Sequence, residues 1–418
     1  MATEPLSIER SKSTLRIEND IETLAGSDYT QTSDAIQRYA YTPVYRNTLD
    51  YFTAALKELG FDVHEDCVGT LVARNRPAGE EVFGIGSHCD SNRNGGKYDG
   101  TLGVVTALEV CRLNCDLGLD LPLQVISFLE EEGSGFGQML LGSRITAQRV
   151  TEEELKNRFR AIDDGRSFWQ SALDAGYQPE RWRESIHILD DLVGWIETHI
   201  EQARVLQDTH NRIGVVTGIA GYVHGDIWIE GRQDHAGATP MSFRQDPGPI
   251  AAEILLELER LARVEMGKGT VGTVGEIEFS PSLINVVPGR ARISLDVRGT
   301  DEDSFRGVIS QLEAFAETAA TARGTTAKFI QRQTLPATPM DARIVDALES
   351  SAQTAGEPFM VMASGAAHDT MCVADHVPTG MLFVPCTDGI SHSPDEDASP
   401  ADAALAAEII LSAIRKLI

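Results

Sequence analysis

The stretch LQVISFLEEEG, from Leu123 to Gly133, joins a run of apolar residues to three consecutive glutamates. Its first part is rich in Leu, Val, Ile and Phe, which predicts a buried strand. Glu130, Glu131 and Glu132 then follow directly after the carboxyl end of that strand. Because ligands of open α/β folds bind outside the carboxyl ends of parallel strands, these carboxylates are candidates for a functional site.

A second polar cluster follows an upstream strand-like run, VFGIG at Val82–Gly86. The sequence SHCDSNRNGGKYDGTLGVV, which starts at Ser87, supplies His88, Asp90 and Asp99. A helical pattern separates the two apolar runs, so they form a β-α-β unit with parallel strands and a right-handed crossover. Both clusters are then expected at one edge of the sheet. Imidazole and carboxylate groups at one crevice predict a divalent metal site.

Two further segments contribute candidate ligands. Just after Asp190, the sequence DLVGWIETHIEQ alternates, with Glu197, His199 and Glu201 on one face. This period of two predicts a strand end that lines a cavity rather than a buried strand. Near the end of the chain, GISHSPDED carries His392.

The order of predicted elements indicates two domains, as expected for 418 residues. An α/β pattern occupies residues 1–211 and resumes over residues 334–418, and it predicts a mostly parallel sheet. Between them, residues 212–333 follow the order strand, helix, strand, strand, helix, strand, which is the ferredoxin-like split unit. The sequence therefore predicts an α/β domain in two parts, interrupted by an inserted ferredoxin-like α+β domain.

Composition excludes several classes of function. Lys and Arg total 36 against 63 Asp and Glu, a formal net charge of -27, which disfavours nucleic acids and anionic membranes as partners. No stretch approaches the roughly 20 apolar residues that span a bilayer, and the N-terminus lacks the apolar core of a signal peptide. The six cysteines show no disulfide-framework spacing. These features predict a cytoplasmic protein.

Several motifs occur together and in order. They are SHCDSNRNGGKYDG from Ser87, EEGS from Glu131, ETHIEQ around His199, HAGATPM from His235, INVVPG from Ile284 with LDVR ending at Arg298, SGAAHD from Ser364, and GISHSP from Gly389. Over almost the whole chain this series resembles the carbamoylase branch of the di-zinc aminopeptidase-like amidohydrolases. That branch includes N-carbamoyl-L-amino acid hydrolases, β-ureidopropionase and allantoate amidohydrolase. The resemblance implies an aminopeptidase-like catalytic domain with an inserted lid and dimerisation domain, and hence a homodimer.

The resemblance also implies two divalent metal ions per subunit, Zn or Mn, Co or Ni. His88, Asp99 and His199 look like the ligands of one ion. Asp99 looks like a bridge to a second ion, which Glu132 and His392 would hold. The identity of the native metal stays open, since geometry and supply select among first-row ions.

Three residues resemble the family's catalytic machinery. Asp90 looks like the carboxylate that orients the imidazole of His88. Glu131 looks like the general base, which takes a proton from the attacking water and returns it to the leaving nitrogen. His235 resembles an oxyanion-stabilising His, in its own site or in that of the partner subunit. The alternative is that His235 caps the turn before Ala236.

Four residues resemble the family's substrate contacts. Arg298 and Asn285 look like the pair that grips the α-carboxylate, because a guanidinium suits bidentate pairing. An Arg at a strand end could instead be simply exposed. Gln202 and His368 resemble residues that contact the ureido end.

The implied reaction is cleavage of the carbamoyl C–N bond of an N-carbamoyl-L-amino acid, a small carboxylate-bearing substrate, by activated water. Allantoate, β-ureidopropionate and N-acyl or peptide amides remain alternative substrates. Gly135 and Ala367 depart from the family pattern beside the expected pocket and leave the substrate open. A catalytically silent binding protein is the alternative from another class, and it predicts missing ligands, whereas all five are present.

Overall fold

The computed structural model describes residues 8–418, which divide into two compact units. The first unit comprises residues up to 217 together with 340–362 and 367–418, and the second comprises residues 218–339 with 363–366. The strands are, in chain order, β1 Asp62–Glu65, β2 Leu71–Arg74, β3 Val82–His88, β4 Leu123–Phe128, β5 Leu192–Ile200, β6 Ile213–Ile219, β7 Gly221–Glu230, β8 Asp234–His235, β9 Val271–Thr273, β10 Ile277–Ser280, β11 Val286–Val287, β12 Arg290–Gly299, β13 Thr326–Leu335, β14 Thr338–Pro339, β15 Phe359–Ser364 and β16 Thr379–Val384.

The α-helices alternate with these strands. They are α1 Arg10–Leu24, α2 Pro43–Glu58, α3 Thr101–Asp116, α4 Leu141–Thr146, α5 Phe168–Asp174, α6 Val205–Asp208, α7 Pro247–Val264, α8 Glu302–Ala322, α9 Ala342–Ala355, α10 Thr370–Val373 and α11 Pro400–Leu417. No helix within residues 8–418 combines the length and apolar character needed to cross a membrane. All six cysteines are free thiols, and each of them belongs to the first unit.

The first unit is built on a sheet with strand order β1-β2-β4-β3-β5-β16-β6, and β14 and β15 also pair with β6. The four central strands are parallel, whereas β1, β2 and β6 pair antiparallel to their neighbours. The carboxyl ends of β3, β4, β5 and β16 therefore meet at one edge of the sheet. This architecture confirms the predicted α/β class with a mostly parallel sheet.

Helices cover this sheet and bury apolar side chains against it, as α3 and α11 show. In α11, Pro400 occupies the first turn and the Ser399 side chain accepts a hydrogen bond from the Asp402 amide, which defines the helix start. Small alanines in α11 allow close packing against α1, α3 and α9. A core cluster of the same unit joins the sheet to α10, with Val82, Ile126, Phe128, Leu189, Leu192, Trp195, Val373 and Val377.

The second unit is a five-stranded antiparallel sheet of order β10-β12-β7-β13, in which β9 also pairs with β12. Residues alternate along β12, and its odd-numbered positions from Ala291 to Gly299 are buried. These side chains pack against α7 and α8 in a core that includes Ile227, Ile254 and Phe305. The predicted order of strands and helices is present with short strands added, since β8 follows β7 before α7, and β9, β10 and β11 all precede β12.

Several details differ from the sequence expectations. Strand β6 begins at Ile213 and belongs to the first unit's sheet, so the second unit starts at residue 218 rather than 212 and continues to 339. The segment with Glu197 and His199 is a central buried strand, which the alternation argued against, because the Glu197 carboxylate is hydrogen-bonded inside the protein. The end of this strand, at His199, does lie beside other potential metal ligands. The helical spacing of Tyr51, Phe52, Ala55 and Leu56 predicts a helix from about Asp34 to Leu59, whereas α2 starts at Pro43.

Candidate metal centre

Two groups of side chains that could hold metal ions lie at the carboxyl edge of the parallel strands. The members of the first group are His88, Asp99 and His199, and those of the second are Asp99, Glu132 and His392. His88 is the last residue of β3 and His199 is the second-last residue of β5, while Glu132 follows the end of β4. The five ligands predicted from separate parts of the sequence are therefore brought together.

The first group is buried and compact. The Nε2 atoms of His88 and His199 lie 3.6 and 3.2 Å from Oδ1 of Asp99, and 3.5 Å from each other. In a tetrahedral site with metal–ligand bonds of about 2.0–2.1 Å, neighbouring ligand atoms lie about 3.3 Å apart. The donor atoms and their spacing fit a divalent first-row ion.

The second group uses the other oxygen of Asp99. Oδ2 of Asp99 lies 3.5 Å from Nε2 of His392, which in turn lies 3.5 Å from Oε2 of Glu132. Because 44% of the His392 side chain is exposed, this group opens toward solvent. A carboxylate that offers one oxygen to each group has the geometry of a bridging ligand.

Backbone geometry holds these side chains close. Gly100, which precedes α3, has a φ of 60°, and a Cβ built there would lie 2.2 Å from Cε1 of His88. Only glycine fits this approach. Non-glycine residues with positive φ also cluster here, namely Glu130, Gln202 and His392. Such backbone conformations are costly and concentrate at functional sites.

Asp90 connects the two strand ends. Its Oδ1 and Oδ2 atoms accept hydrogen bonds of 3.0 and 3.1 Å from the backbone amides of Glu131 and Glu132. Nδ1 of His88 lies 3.4 Å from Oδ1 of Asp90 and slightly closer, at 3.2 Å, to its carbonyl oxygen. Asp90 therefore fixes the glutamate turn as well as the imidazole, and the sequence indicated only the second of these contacts.

Electrostatics support a cation at this edge. Burial raises the pKa of Glu131 well above its ordinary value, and the imidazole of His88 opposes that shift. Burial alone would raise the pKa of Asp99, but the neighbouring imidazoles of His199, His88 and His392 hold it below its ordinary value. Several buried carboxylates this close together are costly unless a cation compensates them.

Gln202 and His368 both lie beside the two groups. Nε2 of Gln202 donates to Oδ2 of Asp99 at 2.9 Å, whereas Oε1 of Gln202 is buried and has no hydrogen-bond partner among residues 8–418. The ring of His368 lies 4.6 Å from that of His199, centroid to centroid. Burial, reinforced by His199, lowers the pKa of His368 well below its ordinary value. His368 is therefore a neutral imidazole near neutral pH.

Sequence reasoning missed Glu396. Its Oε1 atom accepts hydrogen bonds of 2.9 Å from the backbone amides of both Tyr98 and Asp99, which fixes the segment that carries the bridging carboxylate. Burial, followed by the charge of Asp99, raises the pKa of Glu396 to about 7. The acidic run after His392 was the available signal. Glu201 is also structural, since its two oxygens accept from the amides of Val205 and Leu206 at the start of α6.

The other predicted site residues belong to the second unit. The exposed His235 lies in β8, which pairs with β11, and the Asn285 carbonyl accepts a hydrogen bond of 3.0 Å from the Ala236 amide. Nδ1 of His235 accepts from the amides of Gly237 and Ala238, both at 3.1 Å. This is the turn-capping contact anticipated as the alternative, and it places the proton of the neutral ring on Nε2.

The chain is similar in sequence and fold to known proteins. The model of Peptidase family M20/M25/M40 matches residues 82–416. The chain is 34% identical to an N-carbamoyl-L-amino-acid amidohydrolase of Paenarthrobacter aurescens over 96% of this chain and 97% of the relative. It is 34% identical to a ureidoglycolate hydrolase of Oryza sativa subsp. japonica, covering 92% of this chain and 80% of the relative. A hydantoinase/carbamoylase family amidase from Burkholderia multivorans has a similar crystal structure, with a TM-score of 0.87 and 29% identity over 97% of each chain.

Proposed function

The chain belongs to the peptidase M20/M25/M40 family and is a hydrolase of C–N bonds, and from this premise we propose that it hydrolyses the carbamoyl C–N bond of N-carbamoyl-L-amino acids. The observation that carries the proposal is the pair of ligand groups that share Asp99 beside a buried Glu131. Two amidohydrolases of this specificity cover almost the whole chain at 34 and 35% identity. The products are the free amino acid, ammonia and carbon dioxide.

Two divalent ions, Zn²⁺ or Mn²⁺, Co²⁺ or Ni²⁺, belong to this proposal. His88, His199 and Asp99 would hold one, and Asp99, Glu132 and His392 would hold the other. When bound, such ions lower the pKa of water and polarise a carbonyl oxygen. Asp90 would keep the imidazole and the glutamate turn in place for this purpose.

Glu131 is the proposed general base. It is buried and lies outside both ligand groups, and its Oε2 atom is 3.7 Å from Nε2 of His88. The carboxylate accepts a proton from the attacking water as the C–O bond forms. It then delivers that proton to the amino acid nitrogen as the C–N bond breaks, so that a neutral amine leaves.

His235 is the proposed oxyanion donor, in its own or a partner subunit's site. Support comes from its tautomer, since two amides donate to Nδ1 and leave Nε2–H as the donor. Arg298 and Asn285 are the proposed grip on the α-carboxylate. Gln202, with its unpartnered buried oxygen, and the neutral His368 are proposed contacts of the ureido group.

The test uses the metal-replete chain and measures ammonia release. Glu131→Gln is expected to lower kcat by about 10²–10⁴-fold, because that is the contribution a general base typically makes. The matched measurement is metal content, which Glu131→Gln should leave unchanged, whereas Glu132→Gln should lower it. Unchanged turnover by Glu131→Gln would refute the assigned base.

A substrate panel separates the alternatives. N-carbamoyl-L-amino acids are expected to give the highest kcat/KM, compared with allantoate, ureidoglycolate, β-ureidopropionate, N-acetyl amino acids and dipeptides. A higher value for allantoate or ureidoglycolate would keep the chemistry and change the substrate. Activity restricted to acyl or peptide amides would contradict the carbamoyl specificity.

We also propose a homodimer formed through the second unit, which would serve as a lid and dimerisation domain. Large apolar side chains exposed there include Leu256 and Val264 of α7, Val271 of β9, and Ile277 and Phe279 of β10. A cytoplasmic location is proposed from the six free thiols, which suit a reducing compartment.

A further inference from the structure

The guanidinium of Arg298 is held by a neighbour on its own strand. Asp296 precedes it by two residues in β12, so both side chains project from the same face of the sheet. Nε of Arg298 lies 2.8 Å from Oδ1 of Asp296, and Nη2 lies 2.9 Å from Oδ2. The Asp296 carboxylate therefore pairs with one edge of the forked guanidinium, the edge formed by Nε and Nη2.

Two further contacts fix the plane of the guanidinium. Nη1 of Arg298 donates to the carbonyl oxygen of Gly365 at 3.2 Å. The guanidinium carbon lies 5.5 Å from the ring centroid of Tyr222, the residue opposite Arg298 in the β7–β12 ladder. The Tyr222 ring in turn stacks on His224, with centroids 4.3 Å apart and an interplanar angle of 27°.

Two N–H groups of the Arg298 guanidinium are left over from these contacts. A guanidinium has five N–H groups, and the bonds to Asp296 and Gly365 use one on Nε, one on Nη2 and one on Nη1. One N–H then remains on each of Nη1 and Nη2. Nη1 and Nη2 form the end of the guanidinium, and their spacing matches the two oxygens of a carboxylate.

We infer that Asp296 is a positioning residue that turns the Nη1 and Nη2 end of Arg298 toward the substrate's carboxylate and thereby sets the preference for acid over neutral substrates. This inference rests on the proposed function, in which Arg298 grips that carboxylate. The hydrogen bond to Asp296 raises the pKa of Arg298 and outweighs burial, which lowers it, so the guanidinium stays charged. Asp296 also lies 3.3 Å from Nε2 of His224, which limits its movement.

The test compares Asp296→Asn with its parent in a Glu131→Gln background, using the full metal-replete chain. The probes are N-carbamoyl-L-alanine and N-carbamoyl-L-alaninamide, which differ in the carboxylate alone, and calorimetry gives a Kd for each. The ratio of the amide Kd to the acid Kd is expected to fall about tenfold, because a misdirected fork loses bidentate pairing. The amide Kd itself should change by less than about twofold, since no carboxylate is involved.

Asp226→Asn is the matched control. Asp226 lies on the same face of the sheet and accepts from Arg292 and Arg332, so this variant also breaks an arginine–carboxylate pair. Its Kd ratio should equal that of the parent. If Asp296→Asn does not fold, Asp296→Glu is used instead. The longer side chain shifts the Arg298 guanidinium by about one methylene, and it is also expected to lower the ratio of the amide Kd to the acid Kd.

The outcomes are separable from those of the proposed reaction. An unchanged or raised ratio in Asp296→Asn overturns the positioning role while leaving carbamoyl hydrolysis intact. A parent that does not favour the acid contradicts both the grip by Arg298 and the role of Asp296. If the unsubstituted chain releases no ammonia but the Kd ratio still falls in Asp296→Asn, carbamoyl hydrolysis is refuted and the positioning role of Asp296 is retained.

Discussion

Two oxygens of one side chain, Oδ1 and Oδ2 of Asp99, divide the candidate metal centre into its two halves. Residues outside the ligand groups hold Asp99 in place. Glu396 accepts hydrogen bonds from the backbone amides of Tyr98 and Asp99, and the side chains of Gln202 and Ser391 donate to Oδ2 of Asp99, while Gly100 follows directly. Single substitutions next to the ligands should therefore act as strongly as substitutions of the ligands.

Gly100→Ala should disrupt the first ligand group. The new methyl group would meet the His88 ring at 2.2–2.4 Å at a position where φ is 60°. We expect the free energy of unfolding to fall by about 3 kcal/mol from backbone strain and overpacking. Urea unfolding measures the stability loss, and elemental analysis should show less bound metal.

Gly118→Ala is the control for that substitution. Gly118 has nearly the same φ, 59°, but a Cβ there has no heavy atom within 4 Å. Only the backbone cost of about 1 kcal/mol should remain, with full metal content. Equal losses in the two variants would contradict the steric explanation at Gly100.

Asp90→Asn should weaken metal binding without removing a ligand. The Asn side chain keeps an oxygen that can accept from one of the two amides, of Glu131 or Glu132, but it presents an N–H group to the second amide. Because two donors then face each other, the glutamate turn should shift. Loss of a partner of this kind typically lowers metal affinity about 10–100-fold. Competition with a chelator measures the affinity, and an unchanged value would show that the ligands hold their positions unaided.

At the scale of elements, one buried guanidinium joins parts of the first unit that are distant in sequence. Arg38 is 1% exposed and donates to the carbonyls of Leu24 at the end of α1, Tyr29 in the next loop and Cys89 after β3. Arg38→Met should destabilise the protein by about 3 kcal/mol, because these carbonyls lose a charged donor. Chemical denaturation monitored by circular dichroism gives the value.

Arg343→Met serves as the comparison for Arg38. The Arg343 side chain is 73% exposed and pairs with Asp341 within the first turn of α9. Its loss should change stability by no more than about 0.5 kcal/mol. Similar effects of the two substitutions would mean that Arg38 is not a structural link.

The proposed dimer depends on one edge of the second unit's sheet. Strand β10 lies at that edge and exposes Ile277 and Phe279. Phe279→Glu should convert a species of about twice 45.4 kDa into one of 45.4 kDa in light scattering, since a buried unpaired charge opposes association. Ile330→Glu, on the opposite edge strand β13, should leave the mass unchanged. A 45.4 kDa species for the unsubstituted chain would refute the dimer.

Much of this architecture is readable from sequence because local patterns and tertiary structure agree. Serine and proline at the start and the continuous apolar residues that follow predict a final helix from Pro400 to Leu417, which is the extent of α11. Three of the predicted metal ligands, His88, Glu132 and His199, lie at or shortly after the ends of strands with clear apolar runs. Helix α1 was not predicted because its segment is strongly polar, and its burial depends on packing against α3 and α11.

Contacts between side chains and distant backbone were beyond sequence reasoning. Glu396 and Asp90 hold amides that are remote in the chain, and no spacing rule indicates such bonds. The alternating Glu197 and Glu201 suggested an open cavity because carboxylates are usually solvated. In the structure Glu197 instead bonds Ser87 and Thr370, which allows β5 to be fully buried.

At the scale of the whole molecule, the net charge of -27 opposes compaction. Screening should therefore stabilise the fold, and raising KCl from about 0.05 to 1 M should raise the Tm of the metal-free chain by about 5 °C. Differential scanning calorimetry measures this shift. Near the pI of about 4.7 the net charge vanishes and the salt dependence should largely disappear. A Tm that falls with salt at neutral pH would show that attractive ion pairs dominate.

The placement of the cysteines gives the molecule a built-in reporter of local opening. Every thiol lies in the first unit, and Cys89, Cys111, Cys372 and Cys386 are buried there, while Cys115 is exposed. A thiol reagent should modify Cys115 at once and the buried four only as that unit opens. The second unit carries no cysteine, and its Trp228 in β7 reports its melting by fluorescence once Trp169, Trp182 and Trp195 of the first unit are replaced by Phe. Labelling and fluorescence, followed together in denaturant, would thus reveal whether the two units melt as one.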